Sequence, residues 1–468
     1  MTAELPVRAS LRLVGDGMEV PLVTGGTARY VNLDFAASAP PLVQVARAVE
    51  EMARWYSSVH RGAGWKSQVA TAAYEGAREA ICRFLGTRPD DAVVFTRNTT
   101  DSANLLAASL PDGASVIAFA VEHHANMLPW RRHGVRYLPI PDAPGRVLDA
   151  LEEALASSPS PALVAMTGAS NVTGELWPVR DAARLAHRYG ARIFVDAAQL
   201  APHVPIDMLA WELDYLALSG HKLYAPYGAG VLVGRPDWLA DHDPYLRGGG
   251  AVEFVTLEDV YWAQLPDRQE AGTPNTIGAV ALGAACETLD GVGMGRLERE
   301  ERELYEYARA RLSAVPGVTL YSLWPADHPR LAILTFNVDD AHHSLVAAAL
   351  SAEHGIAVRH GCFCAHPLVM QLLHVGEDGA DAIRRQIAAG DKTRVPGAVR
   401  ISIGVGTTRD DIDAAVSAIA AIADGGPRWT YRQSRQSGEY EPVPDPRPLP
   451  SLSFRLADRA IHHFGESS

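Results

Sequence analysis

The feature that most constrains this chain is a repeating alternation of short apolar runs with longer helix-like stretches. AVVFT (92–96), SVIAFA (115–120), ALVAMT (162–167), RIFVDAA (192–198), YLALSG (215–220) and GVLVG (230–234) read as buried strands. Between them, Ser102–Leu110, Asp149–Ser157 and Val179–Tyr189 read as helices. Strands that are apolar on both faces and separated by helices predict a mostly parallel sheet covered on both sides, an α/β fold. Ligands in such sheets bind beyond the carboxyl ends of the strands.

After about residue 280 the texture changes. A long charged helix, 296–314, ends before Pro316-Gly317. LAILTFNV (331–338), a helix over 342–354, IAVRHG (356–361), VRISIGV (399–405) and a last helix over 409–423 follow. The expected organisation is an N-terminal extension (1–30), a large sheet domain (31–280), a smaller α+β domain (281–425) and a Pro-, Arg- and Ser-rich surface tail (426–468). There is no internal repeat.

Composition bounds the function. The chain has 468 residues, 47% of them hydrophobic, enough for more than one domain core. A formal charge of −13 argues against a general nucleic-acid binder, whose footprint is basic. Four cysteines are too few for a disulfide framework. Cys82 and Cys286 lie in apolar helix-like segments and are expected to be packed core thiols. No stretch approaches the roughly 20 apolar residues that cross a bilayer, and the first residues lack a signal-peptide core. These points predict a cytoplasmic protein with no membrane partner.

Polar residues cluster at the predicted strand ends: Thr99 and Thr100 in FTRNTTDS, Glu122 and His123 in FAVEHHAN, Asn171 in ASNVTG, Asp196 in VDAAQ, and Lys222 in SGHK. Parallel strands exit toward one edge, so these side chains are expected to converge. Their types suit pyridoxal phosphate (PLP). Lysine supplies an amine for its aldehyde, and a carboxylate keeps the ring nitrogen protonated. His123 offers a flat group to stack on the ring. Hydroxyls at a helix N-terminus suit its phosphate. Asp196 alone would equally suit a helix cap.

The runs SSVHRGAG, FTRNTTDSANLLA, VEHHANMLPW, ASNVTGELWPV, VDAAQLAPH, LSGHKLYAPYGAGVL and EAGTPNTIGAVALGAA, in this order, resemble the class V aminotransferase superfamily. Within it, the chain is similar to the group II cysteine desulfurase and selenocysteine lyase branch, from about residue 31 to 423. The resemblance implies a PLP-dependent transferase of fold type I, the aspartate aminotransferase-like architecture, working as a homodimer. It implies that Lys222 joins the cofactor aldehyde, Asp196 pairs the ring nitrogen, Gln199 and Asn171 bond the ring oxygen, and His123 stacks. It assigns the phosphate to Thr99, Thr100, Ser219 and His221, with Thr273 reaching the phosphate of the neighbouring subunit. Arg400 matches the arginine that clamps a substrate carboxylate, a task suited to a planar fork. His60 and Arg61 match the family's HRG. Gly64 stands where that branch usually has a histidine, and ISIGVGTT replaces a Tyr-Asn-Thr turn.

RHGCFCAHP (359–367) aligns with the segment that holds the catalytic cysteine, here Cys364. A Cys-Phe-Cys pattern also occurs in molybdenum-cofactor sulfurases of the superfamily. The implied reaction converts L-cysteine to L-alanine, leaving a persulfide on Cys364 for a sulfur-acceptor protein. Arg359 is expected to hold the thiolate or the substrate and to favour the thiolate by its charge. A rival reading has His360, Cys362, Cys364 and His366 binding zinc. Ligands at i, i+2 on an extended strand lie about 6–7 Å apart, too far for four to converge without a sharp turn. Other reactions remain open on the same residues: selenocysteine lysis, C–S lysis, epimerisation or transamination. A non-catalytic PLP-bound scaffold is the remote alternative, and one would expect it to have lost Lys222 or Asp196.

Overall fold

The computed structural model describes residues 11–60, 62–158 and 161–452. Arg61 lies outside them. Contacts divide the chain into two compact units. The first comprises 1–14, 36–302 and 323–331, and the second 15–35, 303–322 and 332–468.

The first unit is built on a seven-stranded sheet. Its strands are β1 (Ala92–Thr96), β2 (Ser115–Phe119), β3 (Gly134–Leu138), β4 (Pro161–Thr167), β5 (Arg192–Asp196), β6 (Tyr215–Ser219) and β7 (Gly230–Gly234). The order across the sheet is β1-β7-β6-β5-β4-β2-β3. All neighbours are parallel except β7, which runs against both β1 and β6. The sheet is therefore mostly parallel, as the apolar runs require. β5, β6 and β7 are buried at nearly every residue, which is why their sequences show no alternation. The edge strand β3 escaped the sequence reading because GVRYL is only partly buried and short.

Two glycines set close approaches. A Cβ on Gly230 would lie 2.7 Å from the Asn98 Cα, so only glycine lets the start of helix α1 (Thr99–Ala108) cross β7 toward β6. A Cβ on Gly283 would meet the Ala77 Cα at 2.7 Å, where helices Trp65–Leu85 and Thr276–Val292 pack. Cys286 is fully buried in the latter helix, and burial pushes its thiol up. Cys82 is only partly buried, short of the expected core position.

The second unit holds a four-stranded antiparallel sheet. Its strands β8 (Val318–Tyr321), β9 (Ile333–Val338), β10 (Arg359–Gly361) and β11 (Ala398–Ser402) lie in the order β8-β9-β11-β10. Helices α2 (His343–His354) and α3 (Arg409–Gly425) belong to the same unit. Phe336, Val399, Ile401, Leu350 and Ile419 form its core. α3 starts on a capping box, with Thr408 and Asp411 satisfying each other's backbone N–H groups.

Within the described residues, the stretch that reads as a surface tail contains a hairpin, β12 (Tyr431–Gln433) and β13 (Tyr440–Pro442). Its anchor is Glu353 at the end of α2, 5% exposed. That carboxylate accepts from the backbone N–H groups of Arg428 and Trp429 and from the Tyr431 hydroxyl. Among the described residues no single helix is long and apolar enough to cross a membrane.

Candidate active site

At the carboxyl edge of the large sheet, the register aligns Thr96, Gly230 and Ser219 across β1, β7 and β6. This brings α1 to the end of β6. The Thr99 backbone N–H donates to Ser219 Oγ (2.9 Å), and the Thr99 hydroxyl lies 2.8 Å from the same oxygen. Asn98 caps α1 by accepting from the Asp101 N–H. Thr100, exposed in the first turn, adds a second hydroxyl at the positive end of the helix.

Lys222 follows β6 in a tight turn, its N–H donating to Ser219 O (3.2 Å). Asp196 ends the adjacent β5 and is 5% exposed. Its Oδ1 accepts from the Ala198 N–H at 2.9 Å. Burial raises its carboxyl, while that N–H and the charge of Lys222 pull it back toward the ionised form. Gln199 is buried and donates to Ala36 O (2.7 Å). Asn171 is buried in the loop after β4. His123 Nδ1 accepts from the Ala125 N–H at 3.0 Å, which leaves Nε2 to carry the proton of the neutral ring. Burial and the charge of Lys222 push the His221 imidazole down to about 4, so it is neutral at pH 7.

Thr273 belongs to the same unit. It is exposed in the loop before helix Thr276–Val292 and lines a cleft of about 380 Å³ with His60, Gly249, Gly250, Asp267 and Glu270. His60, at φ 67°, pairs with Glu75 at 2.9 Å.

Sequence reasoning noted Glu122 at the end of β2 without giving it a role. It is fully buried, its Oε1 accepting from Thr167 N–H (2.8 Å) and its Oε2 from Asn126 Nδ2 (2.6 Å). Burial pushes its carboxyl well up, and the nearby Asp196 charge adds to the shift. The buried acid in VEHHAN was the available signal.

The remaining expected residues lie in the second unit. Arg359 and Arg400 face each other across β10 and β11. Both pair with Asp34, each at 3.3 Å, a carboxylate the sequence reading missed. Arg400 is 2% exposed. Burial lowers it to about 10 and raises Asp34, so both members bear the cost of leaving water. Arg359, expected at the thiolate or the substrate, here makes its ion pair with Asp34.

β10 runs into a turn closed by the Ala365 N–H on Cys362 O (2.8 Å). Its central residues, Phe363 and Cys364, have φ of 51° and 55°, the left-handed pair of a type I′ turn. Neither is glycine or asparagine, so the turn holds about 1–3 kcal/mol of strain at each residue. The Arg400 guanidinium lies 4.9 Å from the centre of the Phe363 ring. A cation–π contact of about 0.5–2 kcal/mol offsets only part of that strain. Cys364 is exposed, while Cys362 is buried with its thiol on Pro396 O (3.1 Å). The four residues of the zinc reading have separate surroundings. His360 meets His343 and Glu439, Cys362 meets Pro396, Cys364 faces solvent, and His366 opens the helix to Leu372.

A family model described as aminotransferase class-V matches residues 31–415. A probable cysteine desulfurase of Halalkalibacterium halodurans is 39% identical over 73% of this chain and 86% of its own length. One from Halobacterium salinarum is 35% identical over 85% and 92%. Among solved structures, a cysteine desulfurase from Escherichia coli in its S-sulfonic acid form superposes with a TM-score of 0.71 at 34% identity, over 83% of this chain and 94% of that one. The apo cysteine desulfurase of Thermococcus onnurineus gives 0.74 at 30% identity, over 85% and 95%.

Proposed function

The chain belongs to the aminotransferase class-V family, and from that premise we propose that it is a cysteine desulfurase that depends on pyridoxal phosphate. The donor set at the carboxyl edge of β5 and β6 suits this cofactor. A lysine amine, a buried carboxylate bonded to the Ala198 N–H, and hydroxyls at a helix N-terminus match its aldehyde, its ring nitrogen and its phosphate. When bound, the cofactor supplies an electron sink that makes the substrate Cα–H acidic.

The residues divide the work. Lys222 Nζ would hold the cofactor's aldehyde and, as a free amine, would take the substrate Cα proton. Asp196 would keep the ring nitrogen protonated. Gln199 and Asn171 would hydrogen-bond the ring oxygen, and His123 would lie against the ring. Thr99, Thr100, Ser219 and His221 would bind the phosphate, and Thr273 would serve the phosphate of a second copy in a homodimer. Arg400, supported by Arg359, forks the substrate carboxylate. Asp34, a carboxylate already on both arginines, gives way to it.

Cys364 Sγ, as thiolate, attacks the substrate sulfur. An S–S bond forms and the substrate Cβ–S bond breaks. The electron pair stays on Cβ, which takes a proton to become the methyl of alanine. One L-cysteine and one enzyme thiol become one L-alanine and one enzyme persulfide, with no external oxidant. The exposed thiol then passes its sulfur to an acceptor protein.

The observation that carries this reading is Cys364 itself, a solvent-exposed thiol on a strained left-handed residue beside a buried arginine. Strain of this kind gathers at functional sites. With L-cysteine and a reductant, the protein should give alanine and sulfide in equal amounts. Cys364→Ser should lose both by at least ~100-fold, since no other group supplies the nucleophile. Pyruvate or a D-amino acid as product, or full activity in Cys364→Ser, would replace this reading with lysis or epimerisation.

A further inference from the structure

We propose that Cys362 is a resolving thiol for the sulfur carried on Cys364, giving this chain its own route to free sulfide alongside transfer to an acceptor. The inference rests on the desulfurase reading and extends it to the step after the persulfide.

Geometry is the first support. Two residues apart, the Cα atoms can be at most about 7 Å from each other. The turn closed between Cys362 O and Ala365 N–H bends the chain, shortening that span toward the 4.4–6.8 Å at which disulfides form. The bend requires positive φ at both Phe363 and Cys364, an expensive choice for these residue types. Proximity is further supported by the electrostatic influence of Cys364 on Cys362.

Burial is the second support. Cys362 is 8% exposed and its Sγ donates to Pro396 O, so bulk oxidants and acceptors reach Cys364 first. Along the chain, the thiol nearest to Cys362 is Cys364, two residues on. The Pro396 carbonyl belongs to a loop held from several sides. His343 Nε2 donates to Val395 O (3.1 Å), Gln433 Nε2 to Thr393 O (3.0 Å), and Lys392 N–H to Arg435 O (2.9 Å). The hairpin β12–β13 thus helps to fix the acceptor on which the Cys362 proton rests. Burial and Cys364 push this thiol up to about 11. It is therefore a slow nucleophile at neutral pH. Slow attack lets an acceptor take the sulfur first, and an effective concentration far above that of free thiols sustains the internal route when no acceptor comes.

The step balances. Cys362 sulfur bonds the inner sulfur of the Cys364 persulfide, and the bond between inner and outer sulfur breaks. The outer sulfur leaves with the electron pair and takes the Cys362 proton, as hydrogen sulfide. The product is a Cys362–Cys364 disulfide, which a low-molecular-weight thiol or dithiol reductant returns to two thiols. A ring closed over a single intervening residue is strained, so that reduction is easy.

The test uses the holoenzyme, one equivalent of L-cysteine and no reductant. Alanine, sulfide and the non-reduced 359–367 peptide are followed by mass. The wild type should release one sulfide per alanine, while the peptide passes from carrying one extra sulfur atom to lacking two hydrogens. In Cys362→Ser, which keeps a donor for Pro396 O, the sulfide-to-alanine ratio should fall at least tenfold and the peptide should keep its extra sulfur. Cys362→Ala provides the same readout should the serine variant misfold. Alanine formed with no disulfide, or an unchanged ratio in both variants, overturns the resolving role and leaves the desulfurase reading standing. No alanine at all in the wild type overturns both.

Discussion

Asp34 and Arg400 show what a single side chain can decide. Arg400 is buried and Asp34 partly so, and removing Asp34 would leave a buried guanidinium with one ion-pair partner fewer. Arg400→Lys keeps the charge and the pairing with Asp34 but loses the planar fork. Steady-state kinetics on L-cysteine should show KM raised about 10-fold or more, in line with the about 1.5–3 kcal/mol of a hydrogen bond to a charged group. The cofactor absorbance should be unchanged, because the groups proposed to hold it lie on the other unit. An unchanged KM would remove Arg400 from substrate recognition. Asp34 was not legible in the sequence, since it meets Arg400 across 366 positions. The strand ends that carry Asp196 and Ser219 were legible because each sits inside its own local motif, and β5 and β6 are neighbours, with Asp196 in register with Ala217. Thr273, which the resemblance assigns to the phosphate of a neighbouring subunit, lines a cleft with His60 and Glu270.

At the scale of elements, α2 begins on a cluster of imidazoles. His342 and His343 lie with ring centres 4.2 Å apart, and His343 and His360 at 5.4 Å. Burial, with the neighbouring His342 and His360, pushes His343 down to about 4, while its backbone partner Val395 and Glu439 oppose the shift. In the unfolded chain the same ring takes its proton near ~6.5. Between these values the unfolded state binds more protons, so stability is complete above about 6.5 and falls as pH drops toward about 4. Urea denaturation from pH 7 to 4.5 should lose up to about 3 kcal/mol from this residue. His343→Gln should flatten the slope, and an identical slope would contradict the assignment. The hairpin β12–β13 offers a second check at this scale. Tyr431→Phe removes one hydrogen bond to the buried Glu353 carboxylate and should cost about 1.5–3 kcal/mol in the same assay. No measurable change would mean that the hairpin is not an integral part of this unit. The hairpin was hidden in the sequence because its strands are three residues each and are fixed by a glutamate almost eighty positions earlier. The large-sheet strands other than the edge strand β3 were readable for the opposite reason, being rich in apolar residues.

For the whole molecule, two units of different architecture share one chain, and the residues proposed for chemistry are divided between them. The cofactor groups lie on the parallel-sheet unit; Cys364, Arg359 and Arg400 lie on the antiparallel one. The alternation of strand and helix patterns was enough to predict the first architecture, and the change of texture near residue 280 the second. The resemblance read from ordered motifs agrees with the family match and with relatives at 33–39% identity. What local patterns did not convey were the long-range pairings within the second unit, Asp34 with two arginines and Glu353 with the tail, which join segments far apart in the sequence. All of the proposed chemistry requires Lys222 to bear the cofactor, and the chain makes this easy to examine because its only lysines are Lys66, Lys222 and Lys392. Borohydride reduction of the protein loaded with pyridoxal phosphate, followed by peptide mass mapping, is the most direct measurement. A yellow protein that bleaches and carries the reduced pyridoxyl group on the Lys222 peptide alone is the predicted result. A colourless protein, or a label on Lys66 or Lys392 with Lys222 unmodified, would contradict it.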